Sequence, residues 1–276
     1  MRRVVLALVA VVTVLAAVSP TGFAQTGNAD TVMAGARAAL GGEAKIAAVK
    51  TFIATGRTRQ VRGENLVPIE FEIQAELPNK YSRRDEFPAQ DAGPVTAGFV
   101  GDALVLIPRP VPPPPKPGAP TQPPGAQEAM LRGRLMTAKQ DFVRLLLGMF
   151  AGSTPAFPLT YSYVGQAEAP QGKADVIDVK GPNNFSARLF IAGDTKLPIM
   201  LSWTAPGPGA GGPPGAAPKP MPEQRLFFAD YRDVDGLKLP FRIRRGVGTE
   251  TTEETTFDRY RINARVDPRR FDTKAQ

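Results

Sequence analysis

The side chains able to do chemistry in this chain of 276 residues are carboxylates, hydroxyls and cations, because it contains neither histidine nor cysteine. Ser-His-Asp and Cys-His nucleophilic sites are therefore excluded, as are zinc sites built on imidazole or thiolate. Glu253 and Glu254 are adjacent on an alternating stretch and point to opposite faces, so they do not converge as the acid and base of a glycoside hydrolase. Asp233 and Asp235 flank a turn; with Asp194 they offer the hard oxygen ligands that calcium takes, but their setting is that of turn formers. Ser153 in "GSTP" and Ser202 in "LSW" lack the S-x-x-K spacing that would supply a lysine base. The glycines of 207–215 do not stand between a strand and a helix, as a phosphate cradle requires. No catalytic residue, metal site or cofactor is expected, and the chain reads as non-enzymatic.

What the sequence offers instead is apolar alternation. Ile69, Phe71 and Ile73 alternate with Glu70 and Glu72 in "VPIEFEIQAEL". Leu201 and Trp203, the one tryptophan, alternate in one row with Ile199 in "LPIMLSWTA". Leu239 and Phe241 belong to an inward row from Leu237 to Ile243 in "YRDVDGLKLPFRI", with Lys238, Arg242 and Arg244 turned outward and a hairpin turn at Asp235-Gly236. Leu135, Phe142 and Leu146 share one face of a helical segment, 126–150. These ten side chains are the candidate walls of an apolar ligand cavity; the plainer reading makes them core.

The elements that would position them are mostly strands of period two. Candidates run over 67–77, 80–87, a hairpin within 96–108 turning at Gly101-Asp102, then 158–168, 173–181, 185–193, 197–205, 224–233, 237–246 and 250–263. Two segments favour helix: "TVMAGARAALGGEAKIAAV", capped by Asn28 or Asp30 and broken at Gly41-Gly42, and 126–150. Sequential antiparallel strands with two helices imply an α+β fold. Its centre is a single large, strongly curved antiparallel sheet of about 10–11 strands, an unclosed β-barrel with helices on the concave side, because so wide a sheet curls.

Residues 1–24 place Arg2 and Arg3 before an apolar run from Val4 to Val18 and a small-residue end at Gly22 and Ala24, a signal peptide with cleavage expected before Gln25. The run is shorter than the roughly 20 residues of a spanning helix, and no cysteine follows for lipid attachment. A periplasmic protein without disulfides is expected, with 25–276 as one domain. Pro/Gly-rich stretches at about 108–127 and 205–223 interrupt it; they are expected as solvated loop insertions, or as arms that dock a partner. Loss of Arg2 and Arg3 takes the formal net charge from +8 to +6. The cations are dispersed without a basic stripe interleaved by aromatics, which argues against nucleic acid and is compatible with transient contact with an anionic membrane surface.

The chain resembles the LolA/LolB-like superfamily, in particular its outer-membrane-lipoprotein-sorting-like exported proteins. The residues that carry the resemblance are "ALGGEAKIAAVKTFIATGR" at the end of the N-terminal helix, "FEIQAELPNKYSRRDEF", "FADYRDVDGLKLPFRIRR" and "RYRINARVDPRRFDTK". The last carries the pattern N…V-D-P-x-x-F at Asn263, Val266, Asp267, Pro268 and Phe271. The Pro/Gly insertions depart from the family, and no arginine aligns with the carrier's latch. The resemblance implies an unclosed barrel plugged by helices and a monomeric carrier of an acyl chain or lipidated protein. An envelope sensor or protein-interaction module on the same fold is the alternative.

Overall fold

The structure, a computed structural model, describes residues 26–88, 93–108, 125–169, 172–205 and 221–274. The expected signal peptide and the bodies of both Pro/Gly stretches, 109–124 and 206–220, lie outside the described residues. Twelve strands form one antiparallel sheet: β1 Thr51–Arg62, β2 Asn65–Glu76, β3 Lys80–Glu86, β4 Val95–Val100, β5 Ala103–Ile107, β6 Thr160–Ala169, β7 Gly172–Gly181, β8 Phe185–Ala192, β9 Pro198–Thr204, β10 Glu223–Val234, β11 Leu237–Val247 and β12 Glu250–Ile262. The order is β5-β4-β3-β2-β1-β12-β11-β10-β9-β8-β7-β6, so two meanders join through β1 and β12. The edges β5 and β6 do not pair and the barrel stays open. Helices α1 (Thr26–Ala39), α2 (Glu43–Ala47) and α3 (Ala126–Phe150) complete the fold. Among the described residues no helix is long and apolar enough to cross a membrane.

The strand count exceeds the expected 10–11 because "TFIATGR", read as the end of the N-terminal helix region, opens the central strand β1. Its alternation is blurred: Phe52 and Ala54 are buried inward, Ile53 is buried on the outer face, and the inward row continues with Gly56 and Thr58 rather than apolar residues. A second correction concerns α1, which begins at Thr26, ahead of both Asn28 and Asp30, so neither caps it. The Gly41-Gly42 break stands, with φ of 126° and 97° at the two residues. A Cβ on Gly41 would lie 2.4 Å from the Gly236 carbonyl, so only glycine lets the α1–α2 joint sit on the β10–β11 turn. That turn has Asp235 and Gly236 at φ 55° and 80°, the geometry of a two-residue hairpin loop.

α3 organises the concave side. Its C-terminal half, Phe142 to Phe150, is buried on every side because it runs between two apolar clusters. In one cluster Phe142, Leu145, Leu146, Met149 and Phe150 meet Phe52, Phe71, Phe99, Leu239 and Phe241. In the other, Val143, Leu147 and Ala151 meet the sheet from β7 to β10 together with Ala29, Met33, Ala36 and Leu40, the buried face of α1 at helical spacing. Gly148 presses so closely on Phe228 that a Cβ would lie 2.1 Å from its ring. The Tyr231 hydroxyl lies 2.8 Å from the Gly148 carbonyl and 2.9 Å from that of Pro198, tying helix to sheet.

Candidate functional site

The ten candidate wall residues all belong to the interior, nine of them in two groups. Phe71, Ile73, Phe142, Leu146, Leu239 and Phe241 are buried in the cluster on the β1 side of α3, and half-buried Leu135 packs against it. Leu201 and Trp203 are buried in the other cluster. Ile69 is buried but joins neither. Where the first group meets, side chains of α3 fill the space: Phe142 stacks on Phe52 at 6.4 Å and approaches Tyr81 at 4.7 Å and Phe99 at 5.7 Å.

Open volume lies at the end of the barrel instead. A cleft of about 640 Å³, within the range of small-molecule sites, is enclosed by α2, the segment leading into β1, the β2–β3 turn, the end of α3 and the loop 152–155. Ile46, Val49, Leu77, Pro78, Leu146 and Phe150 give it apolar walls, and Arg37, Lys50 and Glu43 stand at its rim. Of the ten candidates, Leu146 lines it.

Each wall is fixed by local chemistry. The Asn263 side chain accepts from the Lys50 amide at 2.7 Å and donates to the Ala48 carbonyl at 3.1 Å, pinning the α2–β1 joint. Asn263 adopts φ 53°, a conformation asparagine tolerates better than most residues, which is the physical content of its place in the C-terminal motif. Downstream, the Asp267 amide donates to Gln74 at 2.7 Å and Arg270 pairs with Glu72 at 2.7 Å, so the segment ending in the 3-10 turn Pro268–Phe271 binds the outer face of β2. Thr154 donates to the Pro78 carbonyl at 2.9 Å and Ser153 to that of Phe157 at 2.7 Å, which holds the loop wall. Arg37 bonds Glu43 at 2.5 Å across the α1–α2 joint. Tyr161, also at the cleft, has its phenol pushed up to about 12 by burial, with Arg37 opposing.

These features are hydrophobic enclosure and a charged rim. Two of the turn carboxylates are bonded within their own turns: Asp233 accepts from the Gly236 amide at 3.1 Å and Asp194 from that of Thr195 at 2.7 Å. A hollow of about 400 Å³ on the outer face is lined by Arg57, Glu72, Arg84 and Arg270, each already paired with another of them or with a neighbour, and by Glu70.

Sequence reasoning missed the cleft because its walls come from the ends of several elements and the segments that join them, where no periodicity runs. Arg144 was missed too: it is buried at 6% exposure beside Trp203, and its Nε has no hydrogen-bond partner among the described residues. In the sequence a single arginine on an otherwise apolar turn of α3, "DFVRLLLGMF", is the one signal of it.

No protein-family model matches the chain, and no curated protein matches it in sequence. Its fold is similar to the crystal structure of a LolA superfamily protein from Nitrosomonas europaea, at TM-score 0.53 and 10% identity over 88% of this chain and 97% of that one. A domain assigned to outer membrane lipoprotein sorting from Vibrio parahaemolyticus aligns at TM-score 0.48 and 8% identity, covering 88% of this chain and 96% of that one. A DUF1329 family protein from Desulfovibrio piger aligns at 0.47 and 8%, covering 88% and 97%. The chain has a LolA-like fold, and at these identities the likeness extends to the fold.

Proposed function

We propose that this LolA-like fold is an exported, non-enzymatic binder of an amphiphile, a free lipid or a lipidated protein, that acts in the periplasm. Its acyl chain lies in the cleft between α2, the end of α3 and the β2–β3 turn. The observation that supports this most is the cleft itself: about 640 Å³ of space with apolar walls, open to solvent past Arg37 and Lys50. An acyl methylene moved from water into such a site gains about 0.8 kcal/mol, so a chain of modest length suffices for micromolar binding after the cost of ordering it.

The reading is tested with a fluorescent fatty acid and a variant that fills the space. Ala47 is exposed on α2 and lines the cleft, so Ala47→Trp places an indole there without disturbing the core. Saturable binding by the unmodified protein that falls at least ten-fold in Ala47→Trp is expected. Absence of saturable binding, together with no lipid in an organic extract of the purified protein, refutes it.

A further inference from the structure

The outer face of the three central strands carries a field of six arginines, four of which form neither an ion pair nor a ring contact among the described residues. Register fixes its members. Arg57 and Arg242 flank Thr256 across β1, β12 and β11, and Arg59 and Arg244 flank Glu254 one row away. Arg259 and Arg261 continue the field along β12, opposite Thr55 and Ile53. The intervening residues Thr58, Thr255 and Phe257 are buried on the inner face, so the arginines point outward, and all six are exposed. Strands 4.7–4.9 Å apart, with same-face residues about 7 Å apart along each, put the six guanidiniums over a surface roughly 10 by 20 Å.

Little on that face neutralises them. Arg57 pairs with Asp258 at 3.2 Å, and Arg244 lies over the Phe227 ring at 4.6 Å. Glu254 stands between Arg59 and Arg244, Glu70 is beside Arg57 at the margin on β2, and Asp230, itself bonded to Arg232, lies near Arg242 without pairing with it. Among the described residues Arg59, Arg242, Arg259 and Arg261 form no ion pair. The same face carries an apolar tip: Val61, two residues beyond Arg59, pairs in register with Leu66 across the β1–β2 hairpin. These side chains are 42% and 64% exposed, the latter more than any other large apolar side chain described.

We infer that this convex face docks on an anionic phospholipid surface, with the arginines on lipid phosphates and the Val61–Leu66 tip inserted among the headgroups. Arginine suits phosphate because its planar fork bonds two oxygens at once. Binding by charge together with a small apolar anchor is the recipe of peripheral membrane contact, whereas a soluble polyanion would use the charge and ignore the tip. The face lies on the opposite side of the sheet from α3, so the contact is independent of whether the cleft holds a ligand.

Co-sedimentation with vesicles of equimolar phosphatidylglycerol and phosphatidylcholine, against phosphatidylcholine alone, tests it. Each charge near such a surface is worth about five-fold in partitioning at low salt, so the triple variant Arg59→Gln, Arg242→Gln, Arg261→Gln loses on the order of a hundred-fold. The double variant Val61→Ser, Leu66→Ser loses about ten-fold with its salt dependence unchanged. All five positions are exposed; should the triple variant unfold, as judged by circular dichroism and Trp203 emission, Arg261→Gln alone is expected to lose about five-fold. Equal binding to both vesicle types, or full binding by the charge variant, overturns the inference. So does full binding by the serine variant, which marks a face for soluble polyanions.

Discussion

The Arg144 guanidinium lies 4.2 Å from the centre of the Trp203 ring, inside the half-barrel. Phe185 lies 5.3 Å from the same guanidinium, and Arg245 approaches the Trp203 ring at 5.7 Å. Asp141 accepts from Arg144 Nη1 at 2.9 Å and lies 3.6 Å from Arg245. Burial pushes the Arg144 pKa below its ordinary value, with Asp141 opposing and Arg245 reinforcing the shift. The indole is thus part of a packed core faced by cations, not the wall of an open apolar chamber.

Two substitutions separate packing from charge at that contact. Trp203→Ala leaves a void among Leu201, Leu226 and Phe185 and is expected to cost about 3–5 kcal/mol in urea unfolding. Arg144→Met keeps the bulk and removes a buried charge, while Asp141 retains Arg245. Because Asp141 is partly exposed and is not stranded, the change is expected to stay within about 1 kcal/mol of neutral, far from the roughly 3–5 kcal/mol lost when removal of one partner leaves a buried charge unpaired. A large loss in Arg144→Met would mean that the cation is a net stabiliser of the core.

Glycines on one helix give opposite signs. Gly133, in the exposed part of α3, has nothing within 4 Å of where a Cβ would stand, and Gly133→Ala is expected to stabilise by roughly 1 kcal/mol through helix propensity. Gly148→Ala drives a methyl into Phe228 and is expected to destabilise by about 1–3 kcal/mol despite the same propensity gain. Equal signs in chemical denaturation would refute the packing of α3 against β10.

Burial raises the phenol pKa of Tyr161 to about 12, and of Tyr81, Tyr231 and Tyr260 likewise upward. Because the folded values exceed the unfolded value near 10, the neutral phenols favour folding fully below about pH 10, and this contribution disappears as pH rises further. Phenolate absorbance and circular dichroism are therefore expected to change together above pH 10. Ionisation of these four near pH 10 with the dichroism intact would contradict their burial.

Much of the fold was legible because period two survives wherever one face is buried and the other wet. In β2 the row Ile69, Phe71, Ile73 announces itself between glutamates, and in β11 Leu237, Leu239 and Phe241 do so between cations. Turn chemistry at Asp235-Gly236 and Gly101-Asp102 fixed both hairpins, and α3 spans the expected residues 126–150. β1 was not legible, since Phe52, Ile53 and Ala54 are all buried and Thr58 meets a polar partner, Thr255, at 2.9 Å inside the sheet. The inner residues were identifiable but not the volume they leave: whether Phe142 lines a cavity or fills one depends on how deeply α3 sits, which only tertiary packing decides. The cleft needed α2, the β2–β3 turn and the loop after α3 to converge, contacts between residues as distant in sequence as Thr154 and Pro78.

Photo-crosslinking with a diazirine-bearing fatty acid tests the central claim most directly. The purified protein is irradiated with the probe and its peptides are mapped by mass spectrometry. Saturable labelling, displaced by unlabelled fatty acid, is expected on peptides that carry Ile46 to Val49 and Leu146 to Pro155, the two sides of the cleft. Labelling that does not saturate, or that falls on other surfaces such as Phe227 and Arg244 on the outer face, would contradict it.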